Sequence, residues 1–575
     1  MTTWTQRISI TQRVLPILAW LPAYQRDWLL PDALAGLALW AVMVPEGMAY
    51  SGIVGVPPIA GIYTIIPPLI AYALLGTSRL LVVGPDTATG LISALTVGAI
   101  AAQGTAEFNT LTSTLAILIG AFFLFFGVLR MGWIAAFIPT PVMRGFIEGL
   151  VCVTIIGQVP HLLGIQGTSG NFFAKLWFVL QHLSDVALIP ALTGLLSLLA
   201  LQLLRRLLPR IPAALIVAVA ATILVTLLGG EGAGVSVVGD LPSGLPHFTP
   251  PIADPRILWE LVPGALAIVL VGYAEALGGA KAAAAETGGA IDPNQELVAH
   301  GPANILSGLF GGFLVVGSLS KTSVAMAAGA RTQLANIVAA ILCFLTLVLL
   351  TPLFRGMPHP TLGAIVIAAM LHLSKPGYLR NLFVRSRWEF MVAVVVIVGE
   401  LTLGVLQGIT LGVVLALLMV VYRATHPQGA VLGQLPGTEA YRDVELHPEA
   451  LTFPKLLIWR AGGDLFFASV GHVGEGLRAA LATSRPPATH VLLDAGSVNL
   501  IDTTACDALV SLIKDLQGYG VTFAFARVRD EVRRRMQLGG LEAAVGSNNF
   551  YERVTDGVRA WQQHQSLDGI SSSKS

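Results

Sequence analysis

The chain has 575 residues, of which 54% are hydrophobic and 12% charged. A soluble globular protein carries about 25% charged residues, so a water-soluble fold for the whole chain is excluded. Lys plus Arg number 34 and Asp plus Glu 33, so the total charge is uninformative and only its distribution matters. Fourteen of the basic residues lie between Arg442 and Lys574, which leaves the first 425 residues strongly apolar and makes the tail read as soluble.

Residues 1–30 carry Arg7, Arg13 and Arg26 and read as a cytoplasmic segment without a cleavable leader. The hydrophobic run that follows is broken by Pro45-Glu46-Gly47 and is expected to stay in the membrane. A spanning helix needs about 20 mostly apolar residues. Spans are expected near 32–52, 57–76, 86–101, 110–130, 134–160, 188–207 and 212–229. A second set lies near 258–284, 294–314, 321–332, 333–354, 359–374, 387–406 and 408–424. The transmembrane region is thus 31–425, as two sets of seven, about 31–230 and 257–425. The segments starting at 86 and 321 are too short to cross alone, so each must join an extended stretch, 78–85 or 313–320. Non-helical backbone at membrane depth is tolerated only inside protein or beside a water-filled cavity.

Basic residues in short loops set orientation. Arg130, Arg205-Arg206-Arg210, Lys375-Arg380-Arg385-Arg387 and Arg423 end even-numbered spans, whereas Gly229–Pro255 has no Lys or Arg. Both termini are therefore expected in the cytoplasm and the protein in the cytoplasmic (inner) membrane. Residues 426–450 read as a linker. Beyond it, strands are expected at Lys455–Arg460, His490–Asp494 and Val521–Ala526, with helices at 468–482, 503–517 and 529–538. That alternation predicts a small α/β domain over 451–565, followed by a disordered Ser-rich tail, 566–575. Cys152, Cys343 and Cys506 have neither metal-ligand nor disulfide spacing. Arg533-Arg534-Arg535 reads as a solvated helix face and not as a nucleic-acid site.

One pattern occurs twice. Leu81-Val82-Val83-Gly84 precedes Pro85-Asp86-Thr87-Ala88-Thr89-Gly90, and Leu314-Val315-Val316-Gly317 precedes Ser318-Leu319-Ser320-Lys321-Thr322-Ser323. Each copy is a short apolar run, a glycine, then helix-capping residues and a small-residue helix. Paired broken helices inside hydrophobic repeats mark a secondary transporter, with its site where the breaks meet. Helix N-termini present unpaired N–H groups and partial positive charge, which favour anions. Lys321, the only Lys or Arg between Lys281 and Arg331, adds a full charge at membrane depth. Three carboxylates accompany it: Glu46, Asp86 and Glu275. A buried carboxylate can carry a proton or, with nearby hydroxyls, hold Na⁺. Glu275 is the preferred coupling residue, Glu46 the second; the alternatives are an ion pair of Glu275 with Lys321 or Lys281, and a plain helix cap for Asp86.

These residues carry a resemblance. Asp32-Ala-Leu-Ala-Gly36, Pro45-x-Gly47-Met48-Ala49-Tyr50 and Pro57-Pro58-x-x-Gly61-x-Tyr63 resemble the opening signature of the SulP (sulfate permease) anion transporters. Gly84-Pro85, Gly317-Ser318-x-Ser320, Ile291–Leu297 and Glu275 with Lys281 match further family patterns, and Asp502-Thr503-Thr504-Ala505 resembles the turn of a STAS domain. The resemblance implies a fourteen-span α-helical membrane protein of two inverted seven-span repeats, with a core domain moving against a gate domain, and a cytoplasmic STAS domain. It implies an anion bound at the N–H groups of Asp86, Thr87, Ala88, Leu319, Ser320 and Lys321, helped by the Ser320 and Thr322 hydroxyls, with Tyr50 and Met48 on the span-one side. Lys321 stands where many relatives have Arg, and Glu46 where many have Gln. The implied function is H⁺- or Na⁺-coupled symport of an inorganic anion by alternating access, sulfate first and bicarbonate or a dicarboxylate as the alternative. A possible Na⁺ position lies near Glu275, Ser320 and Thr322. A homodimer, a possible regulatory role for Thr503 against the plainer reading of an ordinary unmodified helix start, and an anion channel as the other class complete the readings. No cofactor, metal cluster, P-loop or Ser/His/Asp set is read, so an enzyme is not expected.

Overall fold

A computed structural model describes residues 15–572, apart from 138, 166, 168–169, 209–211, 231, 240–243, 245, 247 and 288. Most of the N-terminal segment therefore lies outside the described residues. The chain forms two compact units, Met1–Ala416 and Leu417–Ser575.

Helix covers every segment expected to span. In order these are α1 (Leu29–Val54), α2 and α3 (Pro58–Tyr63, Ile66–Leu75), α4 (Thr87–Gly98), α5 (Ala106–Val128) and α6 (Thr140–Leu163). An additional helix, α7 (Phe172–Gln181), precedes α8 (Leu188–Leu207) and α9 (Ala213–Leu227). The second set is α10 (Pro255–Thr287), α11 (Pro293–Leu309), α12 (Leu319–Ala327), α13 (Leu334–Leu345) and α14 (His359–Leu373). Another addition, α15 (Pro376–Arg385), precedes α16 (Arg387–Thr402) and α17 (Val405–Thr425). Both additions are ten residues long, too short to span and so without a spanning signature in the sequence. The second expected span is one segment in two pieces. Pro67 and Pro68 lie at the start of α3, where a missing N–H costs nothing, and they separate it from α2. Among the described residues, eight helices are long and apolar enough to cross a membrane; α4 and α12, at 12 and 9 residues, are not among them.

The second unit is a six-stranded mixed sheet in the order β4-β3-β5-β6-β7-β8. Strands β5 (Leu456–Arg460), β6 (His490–Asp494), β7 (Thr522–Ala526) and β8 (Phe550–Tyr551) run parallel, while β3 (Ala430–Gln434) pairs antiparallel with both β5 and β4 (Tyr441–Asp443). Helices α18 (Val470–Thr483), α19 (Thr503–Gly518), α20 (Asp530–Leu538) and α21 (Leu541–Val545) cover one face. Two expectations need correction. The segment 426–450 is not a bare linker, because β3 and β4 form inside it. Its Gly and Pro residues hid short strands that gain their hydrogen bonds only by pairing, β3 with β4 and with the distant β5. The tail is not wholly disordered either: α22 runs Val554–Ser572, anchored by Val554 and Val558 against Leu492 and Ala526. Serine content dominated that reading, but buried aliphatic side chains one turn apart decided the helix.

Candidate anion site at the paired helix breaks

The two breaks meet directly. Strand β1 (Val82–Gly84) pairs antiparallel with β2 (Val316–Ser318), in the register Val82↔Ser318, Val83↔Gly317 and Gly84↔Val316. Antiparallel pairing sends the helices that follow, α4 and α12, away in opposite directions while their N-termini stay together. A glycine at 317 is required by packing: a Cβ there would lie 2.9 Å from the Ala276 Cα. The bare backbone lets α10 lie flush against β2, which carries Glu275, the neighbour of Ala276, to the break.

Extended backbone this deep must find its hydrogen bonds within protein, and it does. Gln333 Nε2 donates to the carbonyls of Ser78 and Leu81 at 2.9 and 3.0 Å, and Asn336 Nδ2 donates to Leu81 O at 3.0 Å. On the other strand Asn304 accepts from Val315 N at 2.8 Å and donates to Val315 O at 2.9 Å. Two buried carboxylates fasten the flanking loops. Asp32 accepts from Arg331 N, Thr332 N and Thr332 Oγ1 just after α12, and Glu296 accepts from Tyr72 Oη, Thr77 N and Thr77 Oγ1 just before β1. Gln333, Asn336, Asn304 and Glu296 escaped the sequence reading as functional residues. Their signal was present all the same, because amides and acids within apolar spans are costly unless they have a partner.

Asp86 caps α4: its Oδ2 accepts from Ala88 N at 2.8 Å and Thr89 N at 3.2 Å. On the facing helix Ser318 Oγ accepts from Lys321 N at 3.5 Å and lies 3.1 Å from Ser320 Oγ. Of the N–H groups expected to meet an anion, those of Ala88 and Lys321 are thus engaged by the caps in this arrangement. Thr322 Oγ1 donates to Ser318 O at 2.7 Å and accepts from Val82 N at 3.0 Å, so it stitches α12 to β1. Thr87 and Ala88 are buried, whereas Leu319 and Ser320 are exposed at the start of α12.

Lys321 is 2% exposed and does not reach for an interface. Its Nζ donates to Pro85 O at 2.9 Å, lies 3.4 Å from Glu46 Oε2 and sits 5.1 Å from the centre of the Tyr50 ring. The ammonium of one half-helix therefore binds the chain just before the cap of the other and meets span one through Glu46 and Tyr50. Its acidic partner is Glu46, not Glu275, and Lys281 is exposed farther along α10. Glu275 is partly exposed, has no hydrogen bond from a described residue, and lies within electrostatic reach of Asp86 and Lys321. One cation thus faces three acids. Among the described residues no group of three His, Cys, Asp or Glu could hold a metal ion. In the second unit Thr503 is exposed, the first residue of α19 behind the Asp502 cap.

With this geometry in hand, comparison with known proteins is decisive. The model of the sulfate permease family matches residues 29–396, and that of the STAS domain matches 447–557. The chain belongs to the sulfate permease family. This family member is 34% identical to a probable sulfate transporter of Mycobacterium tuberculosis, over 94% of this chain and 96% of that one. It is 29% identical to the chloroplastic sulfate transporter 4.1 of Arabidopsis thaliana, over 98% of this chain and 85% of the relative. In fold it is similar to the murine Solute Carrier 26 family member A9 anion transporter in the inward-facing state, with a TM-score of 0.87 at 22% identity, covering 98% and 96% of the two chains. The transmembrane domain of the cyanobacterial bicarbonate transporter BicA matches with a TM-score of 0.61 at 22% identity, covering 68% of this chain and 98% of that one. The protein is a multi-pass membrane anion transporter with a STAS domain and not an enzyme.

Proposed function

We propose that this transporter moves an inorganic anion, sulfate first, across the cytoplasmic membrane together with H⁺ or Na⁺. The anion sits at the starts of α4 and α12, beside Tyr50 and Lys321. One observation carries the coupling: the site's single ammonium is already engaged by Glu46, with Asp86 and Glu275 close by. An anion brought to one cation and three acids is repelled by each acid that stays ionised. It binds well only when a proton or Na⁺ neutralises an acid on the way in. In this reading Glu46 releases Lys321 toward the anion on protonation, and Glu275, with no hydrogen-bond partner among the described residues, takes the coupled cation near Ser320 and Thr322.

The relatives' names favour sulfate. The acid surplus gives bicarbonate a specific claim as the alternative, since a monovalent anion brings half the charge against the same carboxylates. The architecture in this reading is fourteen spans in two inverted seven-span repeats. The core domain, which carries the breaks, rides as an elevator against the gate domain, in a homodimer with the N-terminus and the STAS domain in the cytoplasm. Thr503, exposed at a helix start, is the candidate regulatory position in that domain.

The test is uptake of labelled sulfate and labelled bicarbonate into proteoliposomes, each under an imposed pH gradient, a Na⁺ gradient or neither. Saturable sulfate accumulation driven by one gradient is expected. Accumulation of bicarbonate alone selects the alternative, and gradient-independent, non-saturating flux of either anion selects a channel and ends the coupled reading.

A further inference from the structure

Among the buried acids of the described residues, one differs from the rest. Asp32, Asp86, Glu296 and Asp494 each accept several hydrogen bonds, and Glu46 has Lys321. Glu400, in the last turn of α16, is 1% exposed, and neither Oε1 nor Oε2 has a hydrogen-bond partner. Its place is nonetheless shaped for it. A methyl group on Gly149 of α6 would overlap the Glu400 carboxylate, and one on Gly408 of α17 would overlap its Cγ. Three helices therefore leave a slot that only this acid fills.

Among the described residues no ion pair or hydrogen bond reaches the carboxylate. From α6 the facing titratable groups are Glu148 and Cys152, while Arg144, more than a turn before Gly149, lies over the Tyr378 ring at 5.4 Å. Glu148 is itself taken by Ser374 Oγ and Lys375 N, both at 2.6 Å. Helix α17 brings no titratable group before Tyr422 and Arg423, and α16 itself offers only Arg387 and Glu389 at its opposite end. On α7, Lys175 approaches α6 at Gly157, about 12 Å along the helix from Gly149. An ionised carboxylate buried without donor or cation is too costly to persist, so such a group is held neutral by a proton. The surface of the protein is not far from it: Thr402 and Leu403, two and three residues on, are exposed, and Asn171 Nδ2 closes over Thr402 O at 2.9 Å.

We propose that Glu400 is a proton-binding site of the membrane unit, separate from the anion site: a neutral carboxyl clasped by α6, α16 and α17, which gives its proton to water when the α16–α17 hairpin parts from α6. The proton leaves as hydronium and the carboxylate returns to the slot only after taking another. Infrared spectroscopy of the full chain in liposomes at neutral pH tests both halves without measuring transport, so a failed transport assay and a failed proton site stay distinguishable. The expected result is a protonated-carboxyl C=O band that disappears in Glu400→Gln and, independently, in Glu400→Met, and that shifts in D₂O. A spectrum without a band sensitive to either substitution overturns the proton site, and a band that D₂O leaves unshifted overturns the release step.

Discussion

Two buried acids that face basic partners, one in each unit, make an instructive contrast. Asp494, at the end of β6, accepts from Arg527 Nε at 2.7 Å and its terminal nitrogen at 2.6 Å, from Arg460 Nε at 2.9 Å and from Gly496 N at 3.2 Å. Burial opposes its charge, but the Arg527 and Arg460 guanidinium groups prevail and hold the carboxyl below the usual range. Glu46 has a single basic neighbour, Lys321, at 3.4 Å, and its Oε2 makes no hydrogen bond. A saturated acid fixes structure because no group in its shell can leave without stranding a charge. An under-coordinated one can exchange its partner for a proton or an anion, which a transport site must do.

The contrast breaks most readily at Lys321. Lys321→Ala removes the site's only ammonium and should weaken anion affinity by about 10- to 100-fold, the equivalent of losing a charged hydrogen bond. Calorimetric titration with sulfate reads this directly, and unchanged affinity would mean that Lys321 serves only to join the half-helices. Next in size is Glu275→Gln, expected to stop gradient-driven accumulation while anion exchange continues; normal accumulation in proteoliposomes would move the coupling site elsewhere.

Asp494→Asn should leave anion affinity unchanged and destabilise the second unit by about 2 kcal/mol, since the asparagine cannot hold two guanidinium groups. Its pH signature has a fixed sign. The folded-state carboxyl titrates below its ordinary value, so its contribution is full above the unfolded pKa and fades as pH falls through that value toward the folded one. Melting of the wild-type unit should fall in that acidic window, and the Asn variant should lack that part of the loss. A variant with the same acid dependence would remove Asp494 from the account. The smallest effect is expected from Asp86→Ala, which strips the α4 cap at a cost of about 1 kcal/mol. Circular dichroism melting measures it, and a rise in anion affinity in the same variant would reveal that the cap competes for the N–H groups of Ala88 and Thr89.

Much of this was readable before any coordinates. The apolar runs located the helices of the membrane unit, because a helix must be about 20 residues long to cross lipid. The repeated Gly with its capping residues located the two breaks, because a short apolar helix in a membrane region has to be completed by something. Lys321 stood out because an ammonium in such a run is expensive. Local chemistry carried those readings, and it also carried β5 to β7 of the tail, where strand-forming residues alternate with amphipathic helices. Only the folded chain decided which acid meets which base. Glu46 and Lys321 are 275 positions apart, and nothing in either neighbourhood tells Lys321 to choose Glu46 over Glu275. The choice came from α1 packing against α12, which sets Glu46 beside the ammonium. The same holds for Glu400, which looks like an ordinary acid near a helix end until Gly149 and Gly408 close around it. Covalent neighbours set what a segment can become, whereas the electrostatic fate of a side chain depends on distances that long-range packing alone establishes.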